Sequence, residues 1–471
     1  MAASASASPL RAVPTPTIRD AVRAGAAVTG KVPIPALPGL PVLGNVLEFR
    51  RDRLGLLAQV AALGPIARYH LGPVPVHMIT DGALAHEILV DQADGFMKSP
   101  GLSVFARPLL GEGLLTSEVP LHRRQRKLLA AAFAPRRIAG YAEAMVAEAM
   151  RAAAGWRDGA HVDAAEAMME LTLAIAGRTL FSADVRGDAR AIGVALTDAM
   201  RAMVEGLTSP LQVPYTWPIP RHRRMRRAVA ALDAVVYRLI AERRAAGDDR
   251  GDVLSVLLLA RDEDDGTGMT DRQVRDEVMT LLLAGHETTA NALTWTLYAL
   301  GRNPDIRARV EAEADALGDR APTADDVARL PYTLMVLEEA MRLWPPAYVV
   351  GRTAIRDVAV GDYRFPAGAT VLVNIWGLHR RPDLYPDPTA FRPERFAADV
   401  KKARPRGDYM PFGAGPRVCI GNHFALLEAQ LALAVIARRA RLDPTVDGEP
   451  AAEPLVTLRP RGGLPVRITR R

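Results

Sequence analysis

Cysteine is almost absent. The 471-residue chain has one, Cys419, so no internal disulfide can form. A disulfide-stapled secreted scaffold, a cysteine-rich zinc site and a cysteine-ligated iron–sulfur cluster are all excluded. Aromatic residues are few, at 5%. No apolar run approaches the ~20 residues that a bilayer-crossing helix needs. The N-terminus lacks the basic-then-apolar pattern of a secretory signal, so a cytoplasmic location is expected. Lysine is scarce too: five of the 60 basic residues are lysine and the rest arginine. The net charge of +7 permits an acidic partner. The basic residues are scattered, however, and no basic helix carries interleaved aromatics, so nucleic-acid binding is not expected. These absences leave Cys419 two chemical roles, thiolate ligand or nucleophile, against the plain one of a small buried hydrophobe.

What is present is the composition of a globular protein: 49% hydrophobic and 24% charged residues, enough for a large core. Residues 1–30, rich in Ala, Ser, Pro and Thr, read as a disordered N-terminal tail. A transit peptide is the lesser reading. Residues 31–471 read as one domain. KVPIPALPGLPVLGNV, from residue 31, has prolines too close together for a helix and reads as an extended lead-in. PIARYHL and PVHMIT alternate like strands. Helical spacing of apolar residues dominates from about 120 to 345, in RRQRKLLAAAF, EAMMELTLAIAGRTLF, RRAVAALDAVVYRLIAERR and VRDEVMTLLLAGHETTANALTWTLYALG. The proline cluster SPLQVPYTWPIP marks a mobile loop between two helices. Short strands and coil follow from 347 to 400. FGAGPRVCIG then leads into the helix NHFALLEAQLALAVIARRA, and the tail reads as a hairpin around Gly462 and Gly463. The expected class is mainly α with small β-sheets (α+β), with a long central helix.

The segment around Cys419 carries the strongest signal. Gly413 and Gly415 allow tight turns and close approach by a flat ligand. Cys419 sits just before a helix, whose free amides at Ile420, Gly421 and Asn422 and partial positive charge favour a thiolate. Arg417 stands two residues away, ready for an anionic group. A nucleotide loop does not fit: G-x-G-x-x-G would need glycine at Val418, and no Lys-Ser/Thr pair follows.

FGAGPRVCIG resembles the F-x-x-G-x-R-x-C-x-G signature of the cytochrome P-450 family, with Phe412, Gly415, Arg417, Cys419 and Gly421 at its fixed positions. The resemblance implies haem b (iron protoporphyrin IX) as cofactor. Cys419 is then the thiolate on the iron, Phe412 packs beside the sulfur, Gly413 and Gly421 belong to the cofactor-binding set and Arg417 meets a propionate. Other segments resemble the family in the same order. E339-A-M-R342 matches its E-x-x-R pair, whose spacing puts both side chains on one helix face. FRPERF at 391–396 supplies the third member of that structural triad, Arg395, with Arg392 as the alternative. AGHETT at 284–289 matches the oxygen-activation segment: small residues, Ala284 and Gly285, where the helix crosses the haem, then an acid and an alcohol side by side, Glu287 and Thr288, to deliver protons. A zinc H-E-x-x-H motif fails at Ala290. His122 and Arg126, in LHRRQRKLLAAAF, match the propionate-binding helix, with His122 where many members have Trp. Arg352 and His379 match further propionate contacts. The alternatives are a helix-internal role for the Thr pair and a surface position for Arg352 or His379.

The resemblance spans about residues 35–470. It implies a monooxygenase that inserts one oxygen atom from O2 into a lipophilic small molecule, by hydroxylation of a terpenoid, fatty acid or similar substrate. Electrons come from NAD(P)H through a separate ferredoxin or flavodoxin and its reductase, since no redox module is fused and no membrane anchor precedes the domain. Arg123, Arg124, Lys127 and the cluster at 401–406 form a candidate docking face for that acidic partner. The pocket is expected around Ser103–Leu115, Leu207–Trp217, Leu282–Ala284 and Ala347–Val350. Phe105, Leu211, Leu283, Val349 and Leu464 are the candidate substrate contacts. Two rival functions are a peroxide-driven haem-thiolate peroxygenase and a non-catalytic haem-binding sensor. The first typically loses the acid–alcohol pair and the second has no need of one.

Overall fold

The computed structural model describes residues 18–209, 213–261 and 266–471. Eight helices position the site: α1 (Ile18–Ala26), α2 (Leu121–Ala130), α3 (Ala164–Leu180), α4 (Ala189–Leu207), α5 (Pro220–Ala246), α6 (Asp271–Arg302), α7 (Pro331–Leu343) and α8 (Asn422–Arg439). The 32-residue α6 is about 48 Å long at helical rise. Its start is set by a capping box: the Gln273 amide donates to Thr270 Oγ1 and the Thr270 amide donates to Gln273 Oε1. Helices α3, α5, α7 and α8 pack around α6. Most of its residues are therefore buried, which is why its apolar pattern runs almost all round.

A five-stranded sheet lies beside this helical body. Its strands are β1 (Ile66–Leu71), β2 (Val74–Ile79), β3 (Phe96–Lys98), β4 (Val350–Ala354) and β5 (Thr370–Val373). The spatial order is β1-β2-β5-β4-β3, with β2 and β5 parallel and the other pairs antiparallel. The expected strands at PIARYHL, PVHMIT and VVGRTAI are all present. The mixed class, mainly helical with small sheets, is as expected.

Two expectations are corrected. Residues 18–30 are ordered: α1 packs on β2, with Ala21, Ala24 and Val28 buried. Gly25 permits this approach, because a Cβ there would lie 2.4 Å from Pro75 Cγ. Thr29–Gly30 pairs with Tyr363–Arg364. Small apolar residues three and four apart supply a burial face that the polar composition obscured. The second correction concerns the tail. Strand β6 (Ala452–Pro454) turns at 455–457 into β7 (Leu458–Pro460). Residues 465–470 then pair with 440–444 and 161–163. Gly462 and Gly463, at φ 79° and 88°, carry the chain from one sheet to another instead of closing a hairpin.

Candidate functional site

The cysteine loop is built by its glycines. Gly413 and Gly415 have φ of 71° and 70°, a region costly for other residues. A Cβ on Gly415 would lie 1.9 Å from Leu89 O, whereas one on Gly413 would meet nothing within 4 Å. The loop closes when the Cys419 amide donates to Phe412 O at 3.0 Å. Helix α8 starts three residues later. Burial pushes the Cys419 thiol up, against the Gly421 amide and the Arg126 charge, which pull it down. Yet Cys419 keeps accessible surface. A side chain both surrounded by protein and accessible opens onto an interior space.

Basic groups from four separate segments converge beside this loop. Arg126 on α2 donates to Val418 O at 2.7 Å. Arg417 donates to Ser117 O at 2.9 Å and to the Glu118 carboxylate. His122 is buried; burial, then the charges of Arg417, Lys98, Arg126 and Arg352, hold its imidazole down to about 3. Burial, then Arg417, also pushes Arg352 down to about 10. Lys98 is buried as well and is pulled well below the usual lysine range by burial and then by Arg417. Burial is the main cause in all three, and the Arg417 charge lowers each of them further, so cations are gathered here at close range. The carboxylates within electrostatic reach of Lys98 are Glu118 and Glu277. Such a cradle fits a ligand carrying two carboxylates, as haem b does. Arg417, Arg126, His122 and Arg352 are thus brought together as expected.

Lys98 was missed by sequence reasoning. It ends a three-residue strand, and its place opposite Arg352 depends on the pairing of β3 with β4. The only available signal was the rarity of lysine in an apolar setting.

His379 is corrected. It is fully buried, accepts the Met410 amide on Nε2 at 3.1 Å and stacks on Tyr409 at 5.1 Å. The charges nearest its ring are Arg342, Arg380 and Arg404, none of which belongs to the cradle. It braces the triad instead. Glu339 and Arg342, both 0% exposed, form a two-pronged pair at 2.7 and 2.8 Å. Arg395 Nε lies 3.4 Å from Glu339. Arg392 contributes its amide to Glu339 at 2.8 Å, while its side chain pairs with Asp387 at the surface. Arg342 also donates to the carbonyls of His379, Pro388 and Ala390, tying α7 to the coil that precedes the cysteine loop.

On α6, Ala284 is exposed and Thr288 half-buried, although the helix around them is buried. Thr288 Oγ1 donates to Ala284 O at 2.9 Å. The neighbouring acid does not share that face. Glu287 is buried and accepts from Thr457 Oγ1 at 2.6 Å. Consecutive helix residues diverge by about 100°, so Glu287 is turned to the β6–β7 hairpin and away from Thr288. The expected side-by-side pair is corrected: adjacency in sequence separates the two groups in space. His286 is buried too, with its ring against Leu282 O at 2.6 Å.

The candidate substrate contacts divide. Phe105 packs on Gly206 of α4, where a Cβ would lie 2.9 Å from its ring. Val349 is partly buried against the core. Leu283 is buried in the core, turned about 100° from Ala284. Leu464 is 0% exposed, its amide held by Asp163, so it is core and lines no open space. Leu211 lies outside the described residues. The hairpin tip was missed: Val456 is 38% exposed, and Leu455 and Pro454 carbonyls are held by Tyr348 and Arg53. Within the candidate docking cluster, Lys401 is bonded to Glu338 at 2.7 Å and Arg404 to Arg395 O at 2.7 Å, so both have structural duties. Arg123, Arg124 and Lys127 are exposed. No helix among the described residues is long and apolar enough to cross a membrane.

Comparison with known proteins gives a concordant result. The family model described as Cytochrome P450 matches residues 34–466. Cyclooctatin synthase of Streptomyces melanosporofaciens is 41% identical, over 86% of this chain and 89% of that protein. Cyclooctat-9-en-7-ol 5-monooxygenase of the same organism is 37% identical, with the same coverage. Pentalenene oxygenase of Streptomyces avermitilis is 33% identical, over 92% of this chain and 97% of the relative.

Proposed function

The chain belongs to the cytochrome P450 family, and from that premise we propose that it oxygenates a terpenoid, an olefin or an olefinic alcohol, with Cys419 as the haem ligand. The monooxygenase class and the haem b cofactor follow from the family. When bound, thiolate-ligated haem supplies the activation and cleavage of dioxygen. The observation that carries the residue roles is the accessible Cys419 thiol beside a buried, positively charged cradle.

The chain's own groups have separable tasks. Arg126, Arg417, Arg352, His122 and Lys98 would hold the two propionates, whose charge would offset what Glu118 leaves unbalanced among these cations. The Gly421 amide at the α8 terminus steadies the Cys419 thiolate. Ala284, small and exposed on α6, would leave room for the haem, and the Thr288 hydroxyl hands on a proton at its Oγ1. Glu287 anchors α6 to the hairpin at Thr457. The Glu339–Arg342–Arg395 triad keeps the loop in place. Phe105, Val349 and the hairpin tip at Leu455 and Val456 are the apolar side chains that would face a lipophilic substrate. The terpenoid class is supported by two relatives whose names specify cyclooctat-9-en-7-ol and pentalenene. Electrons come from a separate ferredoxin or flavodoxin, docked where Arg123, Arg124 and Lys127 are exposed.

The test uses haem-loaded protein, NADPH and a surrogate ferredoxin with its reductase. Cyclooctat-9-en-7-ol and pentalenene are offered with fatty acids of similar size. Hydroxylated product from a terpenoid probe, with little from the fatty acids, is expected. Preferential oxidation of the fatty acids would overturn the substrate class. Absence of a thiolate-type carbon monoxide spectrum would overturn the ligand.

A further inference from the structure

We propose that Glu277 is an acid that relays protons along α6 to Thr288, an inference that rests on the oxygenase reading above. Glu277, Ala284 and Thr288 are seven and four residues apart, so they lie in one row along the helix. Thr280 sits on the first turn after Glu277, on the flank of that row. The distances along the axis are about 10 Å from Glu277 to Ala284 and about 16 Å to Thr288.

The two ends of the row differ in kind. At Ala284 and Thr288 it is open. At Glu277 and Thr280 it is closed, at 0% and 3% exposure, yet it holds polar atoms with no hydrogen-bond partner among the described residues, Glu277 Oε1 and Thr280 Oγ1. Buried polar atoms are normally satisfied. Two such atoms in succession, leading to an open stretch of the same helix, mark a place for a short file of water. Glu287 lies off this row, about 100° around the helix from Thr288, with its Oε1 turned to Thr457.

The surroundings of Glu277 suit a group that both holds and releases a proton near neutrality. Its Oε2 accepts the Leu114 amide at 3.0 Å. Lys98 on β3, Gln125 on α2 and Asp276 on α6 itself are the other polar groups that act on it. Burial pushes its carboxyl up to about 7, with the Leu114 amide the largest opposing influence. Solvent is close on the other side. The Asp276 carboxylate accepts the Glu112 amide at 2.9 Å, and the Glu112 side chain is 55% exposed.

The balance is simple. Each turnover consumes O2, a C–H bond, two protons and two electrons, and yields an alcohol and water. Each of the two protons in turn leaves the Glu277 carboxyl, passes through water and the Thr280 hydroxyl, reaches Thr288 and ends in the product water, the carboxyl being reprotonated between them. Solvent hydronium restores the Glu277 proton, and NADPH supplies both electrons through the redox partner.

The experiment compares haem-loaded wild type with Glu277→Gln, Glu277→Asp and Glu287→Gln. Dioxygen reduction is driven by NADPH and a surrogate ferredoxin, and peroxide released is measured against NADPH consumed from pH 5.5 to 8.5. Hydrogen-peroxide-driven oxidation of thioanisole is measured in parallel, because peroxide brings its own protons. Glu277→Gln is expected to raise the peroxide share at least threefold, to enlarge the D2O effect and to abolish the pH dependence around 7. Its peroxide-driven rate should stay within twofold of wild type, and Glu277→Asp should restore part of the coupling. An unchanged peroxide share and pH profile would overturn the relay. An equal fall in both rates would overturn it too, by showing a structural role. Loss of coupling in Glu287→Gln alone would return the task to Glu287. Wild type lacking NADPH-driven dioxygen reduction would instead sink the oxygenase reading on which the relay rests.

Discussion

Lys98 and Arg352 stand directly opposite one another on β3 and β4, and both are buried. Like charges facing across a strand pair destabilise it, and burial worsens the repulsion. Arg417 adds a third cation, and Glu118, with Glu277 near Lys98, offsets only part of the total. An arrangement this costly is explained by an anionic ligand that sits among the three.

Lys98→Ala is accordingly expected to weaken haem retention. A charge-assisted hydrogen bond contributes about 1.5–3 kcal/mol, so haem transfer to apomyoglobin should accelerate roughly 10- to 100-fold. An unchanged transfer rate would remove Lys98 from the cradle.

Cys419→Ser should retain the fold and bind haem through the cradle while losing the thiolate-type carbon monoxide spectrum. The spectrum is the readout, and its survival in the variant would exclude Cys419 as ligand.

The Glu339–Arg342 pair is fully buried and extended by three carbonyls and Arg395. Removing one partner of such a pair costs about 3–5 kcal/mol. Glu339→Ala should therefore give little soluble, haem-loaded protein, and Glu339→Gln should recover some of it. Yields equal to wild type would show the triad to be dispensable.

Thr288→Ala should leave NADPH consumption largely intact while diverting most of it to peroxide, because the hydroxyl on the open face is gone. Thr457→Val removes the hydrogen bond to Glu287 from the far side of the helix. Its effect should fall on thermal stability, by about 1–3 kcal/mol, with coupling preserved. A coupling loss in Thr457→Val matching that of Thr288→Ala would refute the separation of the two faces.

Acid stability should depend on His77. It is 0% exposed and faces Arg68 across β1 and β2. Burial, then Arg68, holds its imidazole down to about 4, against an ordinary value near 6.5. The folded value is depressed, so the unfolded chain takes up the proton first as pH falls. The stability from neutral His77 is complete above about 6.5 and is lost as pH falls to about 4, on the order of 3 kcal/mol. Thermal melts at pH 7 and 4.5 should show a smaller acid loss in His77→Phe than in wild type. Equal losses would place the acid lability elsewhere.

The local motifs were legible because their physics is local. Glycines around Cys419 prescribe their own backbone, three-residue spacing puts Glu339 beside Arg342, and helical periodicity reveals α6 before its neighbours are known. His379 and Leu464 were misread because a polar ring and a leucine carry no label for the surface they face. His379 is claimed by Tyr409 and Met410, Leu464 by the junction of two sheets. Within the expected tail of residues 1–30, the stretch 18–30 is ordered because β2 covers three small side chains, a burial signal too faint to read from sequence.

Taken alone, the sequence determined the helical class, the thiol before a helix, the charged pair on α7 and the small residues at the centre of α6, all set by neighbours within a few turns. Tertiary structure decided that Lys98 meets Arg352, that Glu287 turns to Thr457 and that Glu277 heads the row leading to Thr288. Those outcomes depend on strand pairing and helix packing between segments far apart in the chain, where direction in space, and not order in sequence, determines which groups meet.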